Sequence, residues 1–306
     1  MDPKTLLFLA LAVVTGWFLT TWRSRVLSAR AAGRLTDDPA ATRWHAVVGF
    51  VMCFFDTLGI GNFATTTSLF KLRNSVRDEW IPGTLNVAYT LPTAAQALIY
   101  ISIVRVDFLT LVTLIAAAVA GAWLGAGVVA RWPRAKVQVG MGFALLAAAA
   151  VMLMTQLQLV PVGGTALALR GTRLAAGLTG NFALGALMTL GIGLYAPCLI
   201  LVSLLGMDPR AAFPIMMGSC AFLMPVAGMR FIREGSYSLS ASVVLGLAGI
   251  PAVLIAAYIV KQLPLEYVRW LVVVVVVYTA VTMLRSALVE RGAAMSKAKV
   301  KMSNAQ

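Results

Sequence analysis

The stretch Thr57-Leu58-Gly59-Ile60-Gly61 returns, letter for letter, as Thr189-Leu190-Gly191-Ile192-Gly193, 132 residues further along the chain. The agreement extends along the same diagonal: Phe50 meets Phe182, Ala64 meets Ala196, Leu69 meets Leu201, Leu72 meets Leu204, Pro82 meets Pro214 and Ala95 meets Ala227. After one residue of slippage, Pro133 meets Pro264 and Val137 meets Val268. The chain is a duplicated unit, and each copy opens with an apolar segment broken by glycines. Paired breaks of this kind, at corresponding positions of two halves, are the sequence pointer to a binding site held within a membrane.

Composition agrees with that setting. Of 306 residues 60% are hydrophobic and only 12% charged, and several apolar runs reach the length of about 18 residues at which a run is read as a span. The net charge of +14 does not point to nucleic acid, because Lys and Arg lie between the apolar runs and in the tail, as membrane topology requires, and not on a soluble basic face. Cys53, Cys198 and Cys220 sit inside apolar segments without a CxxC pattern, and His45 is the single histidine. No metal site and no cofactor are expected.

The expected organisation is an all-α polytopic membrane protein. Residues 1–43 form an N-terminal transmembrane anchor, apolar over 5–22, with a basic loop after it; residues 44–158 are repeat 1, 159–173 a linker, 174–288 repeat 2, and 289–306 a basic tail. Repeat 1 has apolar parts at 44–72 (split at the glycines), 82–103, 107–130 and 137–158; repeat 2 has them at 174–206 (also split), 212–232, 239–261 and 265–287. Charge decides whether the split segments cross or turn back. If both are re-entrant hairpins, 18 of the 25 Lys and Arg fall on the cytoplasmic side; if both cross, the number is 15. The positive-inside bias therefore favours two inverted repeats of about 130 residues, each a hairpin plus three spans, about seven spans in total with the anchor. The N-terminus is then outside and the C-terminus cytoplasmic.

A helix broken at glycine leaves unpaired N–H groups at the start of its second half, which with the positive helix end make an anion site without a charged side chain. The first copy offers Gly59, Gly61, Asn62, Thr65 and Thr66; the second offers Gly191, Gly193, Tyr195, Ala196 and Cys198, with Pro197 suited to a first helical turn. The alternative is that such glycines only allow close helix packing, as Gly121-xxx-Gly125 is read. In the following segments Asn86, Tyr89, Thr93 and Gln96 share one helical face, and Ser219, Cys220 and Pro225 interrupt the second copy. A polar stripe there faces a cavity or forms an interhelical hydrogen-bond seam. Asp56, the one carboxylate well inside an apolar run, is the candidate proton-coupling group; the alternative is a carboxylate capping backbone N–H groups or paired with a Lys or Arg.

With these residues in hand, the chain resembles the TauE/SafE sulfite-exporter family, also called the toluenesulfonate uptake permease family. The resemblance rests on Gly59-Ile60-Gly61, Gly191-Ile192-Gly193, four apolar parts per half, and Gly206-Met207-Asp208-Pro209-Arg210-Ala211-Ala212 leading into the helix with Ser219, and it spans about residues 44–288. Where that family has a glycine-rich run after the break, this chain has Asn62-Phe63 and Leu194-Tyr195. The resemblance implies movement of sulfite, sulfonates or similar organic anions across a bacterial inner membrane.

Three function classes are weighed. The first is a secondary transporter of a small anion, working by alternating access and driven by protons, since no GxxxxGK[ST] motif is present for ATP. The second is a passive anion channel, which needs an open pore. The third, a membrane enzyme, needs clustered acids and histidines, which this chain lacks. Expected partners are the small anion and the lipid bilayer; a homodimer is left open.

Overall fold

A computed structural model describes residues 3–31, 41–59, 61–73, 75–77, 80–128, 164–188 and 193–260, with isolated positions elsewhere. The described helices are α1 (Pro3–Ala31), α2 (Arg43–Thr57), α3 (Phe63–Arg73), α4 (Ile81–Ile103), α5 (Phe108–Val128), α6 (Gly171–Met188), α7 (Tyr195–Leu204), α8 (Ala212–Glu234) and α9 (Leu239–Val260). Among the described residues the β structure amounts to an isolated bridge between Ala166 and Met207. The stretches Pro3–Ser28, Pro209–Glu234 and Leu239–Ile259 are long and apolar enough to cross a membrane, and Phe108–Leu124 is a shorter apolar helix. Leu6, Leu9, Val13, Leu109, Leu247 and Leu254 stand exposed, a surface that suits lipid and not water. Among the described residues the chain is all-α apart from that bridge, with three helices fit to cross a membrane.

The first glycine break turns the chain round. α2 ends as the Gly59 N–H bonds the Asp56 carbonyl at 2.9 Å. Gly59 and Gly61 take φ of +94° and +75°, a region that costs glycine little and other residues much. α3 then runs back beside α2. The Arg73 guanidinium lies 4.0 Å over the Trp44 ring, and the Phe70 and His45 rings are 5.7 Å apart, so the end of α3 meets the start of α2. The second segment folds back likewise: Arg173 comes within 3.2 Å of where a Gly206 Cβ would stand, and a Cβ at Gly177 would lie 3.3 Å from Leu205. Thr189–Ile192, the letters of the second break, lie outside the described residues; α6 stops at Met188 and α7 starts at Tyr195.

The two hairpins open at opposite ends of the molecule. The α2–α3 mouth lies where α4 and α9 begin, with the Ser238 N–H donating to Thr84 Oγ1 at 2.9 Å and Gly49 against Leu245. The α6–α7 mouth lies where α5 begins: the Leu169 N–H donates to Thr110 Oγ1 at 3.1 Å, and Arg170 pairs with Asp107 at 3.0 Å. Between them α4 and α8 form a central antiparallel pair, buried along most of their length, each with an internal proline, Pro92 and Pro225.

Some boundaries differ from those read in the sequence. α1 continues from the apolar run through Arg23, Arg25 and Arg30, because no glycine or proline stands between Trp22 and Gly33 to stop it. It packs on α4 and α8, with Lys4 Nζ donating to the Ile101 carbonyl at 2.9 Å and Trp22 Nε1 to the Tyr237 hydroxyl at 3.1 Å. Pro82 does open α4. Pro214 is the third residue of α8, whose start is prepared by a 3₁₀ turn at Pro209–Ala211 capped by Asp208. The expected spans at 137–158 and 265–287, and the tail 289–306, lie outside the described residues apart from isolated positions.

Candidate functional site

The hairpin tips meet in the interior. A Cβ built at Gly61 would lie 3.8 Å from Tyr195 Cβ, and one built at Gly193 would lie 3.5 Å from Phe63 Cβ. Around this contact is a small cavity lined by Asp56, Gly61, Asn62 and Phe63 from one hairpin and by Met188, Gly193, Leu194 and Tyr195 from the other. Thr93 on α4 and Cys220 and Met224 on α8 complete the lining. Its volume, ≈ 10 Å³, is room for about one water, too little for an oxyanion. The site is therefore drawn closed.

Both returning helices start here. The Thr66 N–H reaches the Asn62 carbonyl and the Cys198 N–H the Leu194 carbonyl, each at 2.9 Å, so the N–H groups of Phe63, Ala64 and Thr65, and those of Tyr195 and Ala196, precede the first intrahelical bond. Leu194 has no side-chain acceptor with which to cap α7. These groups carry the positive end of each helix dipole toward the cavity.

Asp56 is buried beside them and held by neutral groups. Gln96 Nε2 donates to Asp56 Oδ2 and to Thr57 Oγ1, both at 2.9 Å. The Tyr195 hydroxyl donates to Gln96 Oε1 at 2.6 Å, and the Tyr100 hydroxyl to the Thr57 carbonyl at 2.9 Å. The Asn62 backbone N–H also faces the carboxylate. No Lys, Arg or His pairs with it among the described residues, so of the two alternatives to proton coupling the geometry matches the backbone-capping arrangement and not an ion pair.

The other candidate residues divide. Gly61, Asn62, Gly193 and Tyr195 line the cavity with Asp56. Gly59 sits just behind, facing the Phe213 ring. Thr65 turns its hydroxyl to the Asn62 carbonyl at 3.0 Å in its own helix. Thr66 bonds the Tyr89 hydroxyl at 2.8 Å, tying α3 to α4. Along the polar face of α4, Thr93 reaches the cavity and Gln96 holds Asp56, but Asn86 donates to the Pro82 carbonyl at 2.9 Å and packs toward Gly228 of α8. Ser219 accepts from Asn181 Nδ2 at 3.1 Å, and Asn181 also donates to the Leu114 carbonyl at 2.7 Å, a seam between α5, α6 and α8. Cys198 is buried within α7. Gly191 and the Ala196 side chain lie outside what the structure describes. Among residues not singled out for the site, Thr57, Tyr100, Phe63 and Met188 surround it. Met188 was signalled by being the repeat counterpart of Asp56.

Comparison with protein families matches residues 2–152 to the model described as sulfite exporter TauE/SafE. Over those residues, just under half of the chain, the sequence is similar to the TauE/SafE family. The match takes in α1, the first hairpin, α4 and α5; of the resemblance over about residues 44–288 it covers the first copy and does not extend to the second. No curated protein and no solved structure matches the chain. The name of that family is of a sulfite exporter, so the match supports a membrane transporter.

Proposed function

We propose that this chain, similar over residues 2–152 to the TauE/SafE family, is a secondary active transporter of a small sulfur-containing or organic anion, such as sulfite or an organosulfonate. The anion sits between the starts of α3 and α7, and access alternates between the two ends of the molecule. The observation that carries this reading is the pairing of the cavity's walls. At the 132-residue shift Asp56 corresponds to Met188, Gly61 to Gly193, Asn62 to Leu194 and Phe63 to Tyr195, and all eight residues line one cavity. A pseudo-two-fold axis through the cavity would produce that.

The helix contacts support the same axis. Gly49 of α2 packs on Leu245 of α9; carried across the repeat, with its one-residue slippage, this pair becomes Asn181 and Leu114, which are bonded. Cys53 against Gly249 becomes Gly185 against Ala118, which also touch. Two inverted repeats, with the basic mouth of α2–α3 on the cytoplasmic side of a bacterial inner membrane, fit these relations and the charge bias. A cavity with room for about one water supports a gated carrier over an open channel. Asp56 is the proton-coupling group of this scheme.

The test is flux in reconstituted vesicles with sulfite, taurine, sulfoacetate, isethionate and lactate. Transport should saturate and respond to an imposed pH gradient. Gly61→Val and Gly193→Val should each abolish it with expression intact, and Asp56→Asn should remove the pH response. Normal affinity in both glycine variants refutes the site.

A further inference from the structure

The hydrogen bonds around Gln96 have a direction, and the direction is informative. An ionised carboxylate can only accept, so with Asp56 charged the Gln96 amide must turn its NH₂ toward Oδ2. Its second N–H then goes to Thr57 Oγ1, which is free to accept because its own proton is given to the Cys53 carbonyl at 2.7 Å. That leaves Oε1 for Tyr195, whose hydroxyl must donate. Gln96 is fully buried, and all three of these bonds are made inside the protein. It joins the carboxylate of one hairpin to the hydroxyl of the other, a hydroxyl that also stands within hydrogen-bond reach of Asp56 itself and of Thr93.

Building on the transport reading above, we infer that Gln96 is the positioning residue that makes anion binding at Tyr195 depend on a proton at Asp56. A proton delivered from the bulk solution to Oδ2 turns that oxygen from acceptor to donor and sets it against the Gln96 NH₂. Turning the amide over relieves the conflict. Oε1 then accepts from Asp56 and from the Thr57 hydroxyl, which turns away from the Cys53 carbonyl; Nε2 faces the Tyr195 oxygen, and the Tyr195 O–H is released into the cavity that its side chain lines. The same proton removes the one carboxylate from the cavity wall. An incoming anion thus gains a donor and loses a repulsion in a single step, and one proton enters with one anion. No covalent bond within the protein changes.

The groups facing Asp56 leave this coupling to the carboxyl. They are Cys53 on α2, Tyr89 and Tyr100 on α4, Tyr195 on α7, and Cys220 on α8. α9, packed along α2, brings the exposed Tyr258 as its one titratable side chain. Lys71 and Arg73 stand at the far end of α3, and Arg230 and Arg233 at the far end of α8.

The experiment measures the affinity of the purified, full-length protein for isethionate and sulfoacetate, whose sulfonate stays ionised throughout, near pH 5 and near pH 8. Tyr195→Phe, which removes one hydroxyl and little volume, should weaken binding about tenfold on the acid side and have little effect on the alkaline side, the size expected for a hydrogen bond to a charged group. In a Gln96→Met background the Tyr195→Phe penalty should become the same at both pH values. An equal penalty at both pH values in the native background overturns the role of Gln96 while leaving the transport reading in place. Absence of binding by the unaltered protein at either pH overturns both.

Discussion

Asp107, in the turn between α4 and α5, makes the simplest residue-scale case. Its carboxylate accepts from the Thr110 N–H at 2.9 Å and from the Thr110 hydroxyl at 2.8 Å, and it pairs with Arg170. The Thr110 N–H, then its hydroxyl and the Arg170 charge, hold its pKa below the ordinary value of 3.8. A depressed folded-state pKa means the stabilisation is complete above that ordinary value and is lost as pH falls through the lower one. Asp107→Ala should therefore cost about 1 kcal/mol at neutral pH, the usual size for a lost helix cap. The cost should fade in strong acid, read as the difference in thermal midpoint between variant and parent across pH. The contrast with Asp56 is instructive for what a sequence discloses. Asp56 was legible as the lone acid in an apolar run. Gln96, its partner 40 residues away, was legible only as one member of a polar stripe, because nothing in a linear pattern says which members of a stripe turn inward. Ser219 is the converse: a serine in an apolar helix suits a cavity or a seam equally, and it was the neighbouring Asn181 that drew it to the seam.

At the scale of elements, glycine placement decides how closely helices approach. Cβ atoms added at Gly121 and Gly185 would collide with the backbones of Phe182 and Ala118 respectively, across the α5–α6 contact. Gly16 in α1 has nothing within 4 Å of the same position. Alanine at Gly121 or Gly185 should push α5 and α6 apart and cost about 1–3 kcal/mol, as overpacking does. Alanine at Gly16 should be neutral or stabilise by up to about 1 kcal/mol through helix propensity. Thermal unfolding of the three variants in detergent checks the ordering; equal shifts at all three positions would remove the packing argument. The breaks at Gly59 and Gly61 were readable because repetition marked them. The packing glycines Gly49 and Gly185 were not, since their meaning depends on a helix from the other copy.

For the whole molecule, the arrangement of mouths sets a sidedness that can be measured. Arg77, after the α2–α3 hairpin, and Thr172, at the start of α6, are both exposed and lie toward opposite ends. All three native cysteines are buried, so the background for thiol labelling is low. In right-side-out vesicles a membrane-impermeant reagent should modify Thr172→Cys and spare Arg77→Cys until the membrane is opened. Labelling of both from one side would contradict opposed hairpins.

The contacts of α2 with α9 and of α5 with α6 carry a consequence for biogenesis. Each half of the chain completes the other, so a ribosome that has released only the first half has made a piece whose glycine-notched helix faces have no mate. Those faces must wait, shielded by lipid or by the insertion machinery, until residues near 250 have entered the bilayer. Maturation of this protein is accordingly a late event in its synthesis, and two separately translated halves should find each other more readily than either finds a shape of its own.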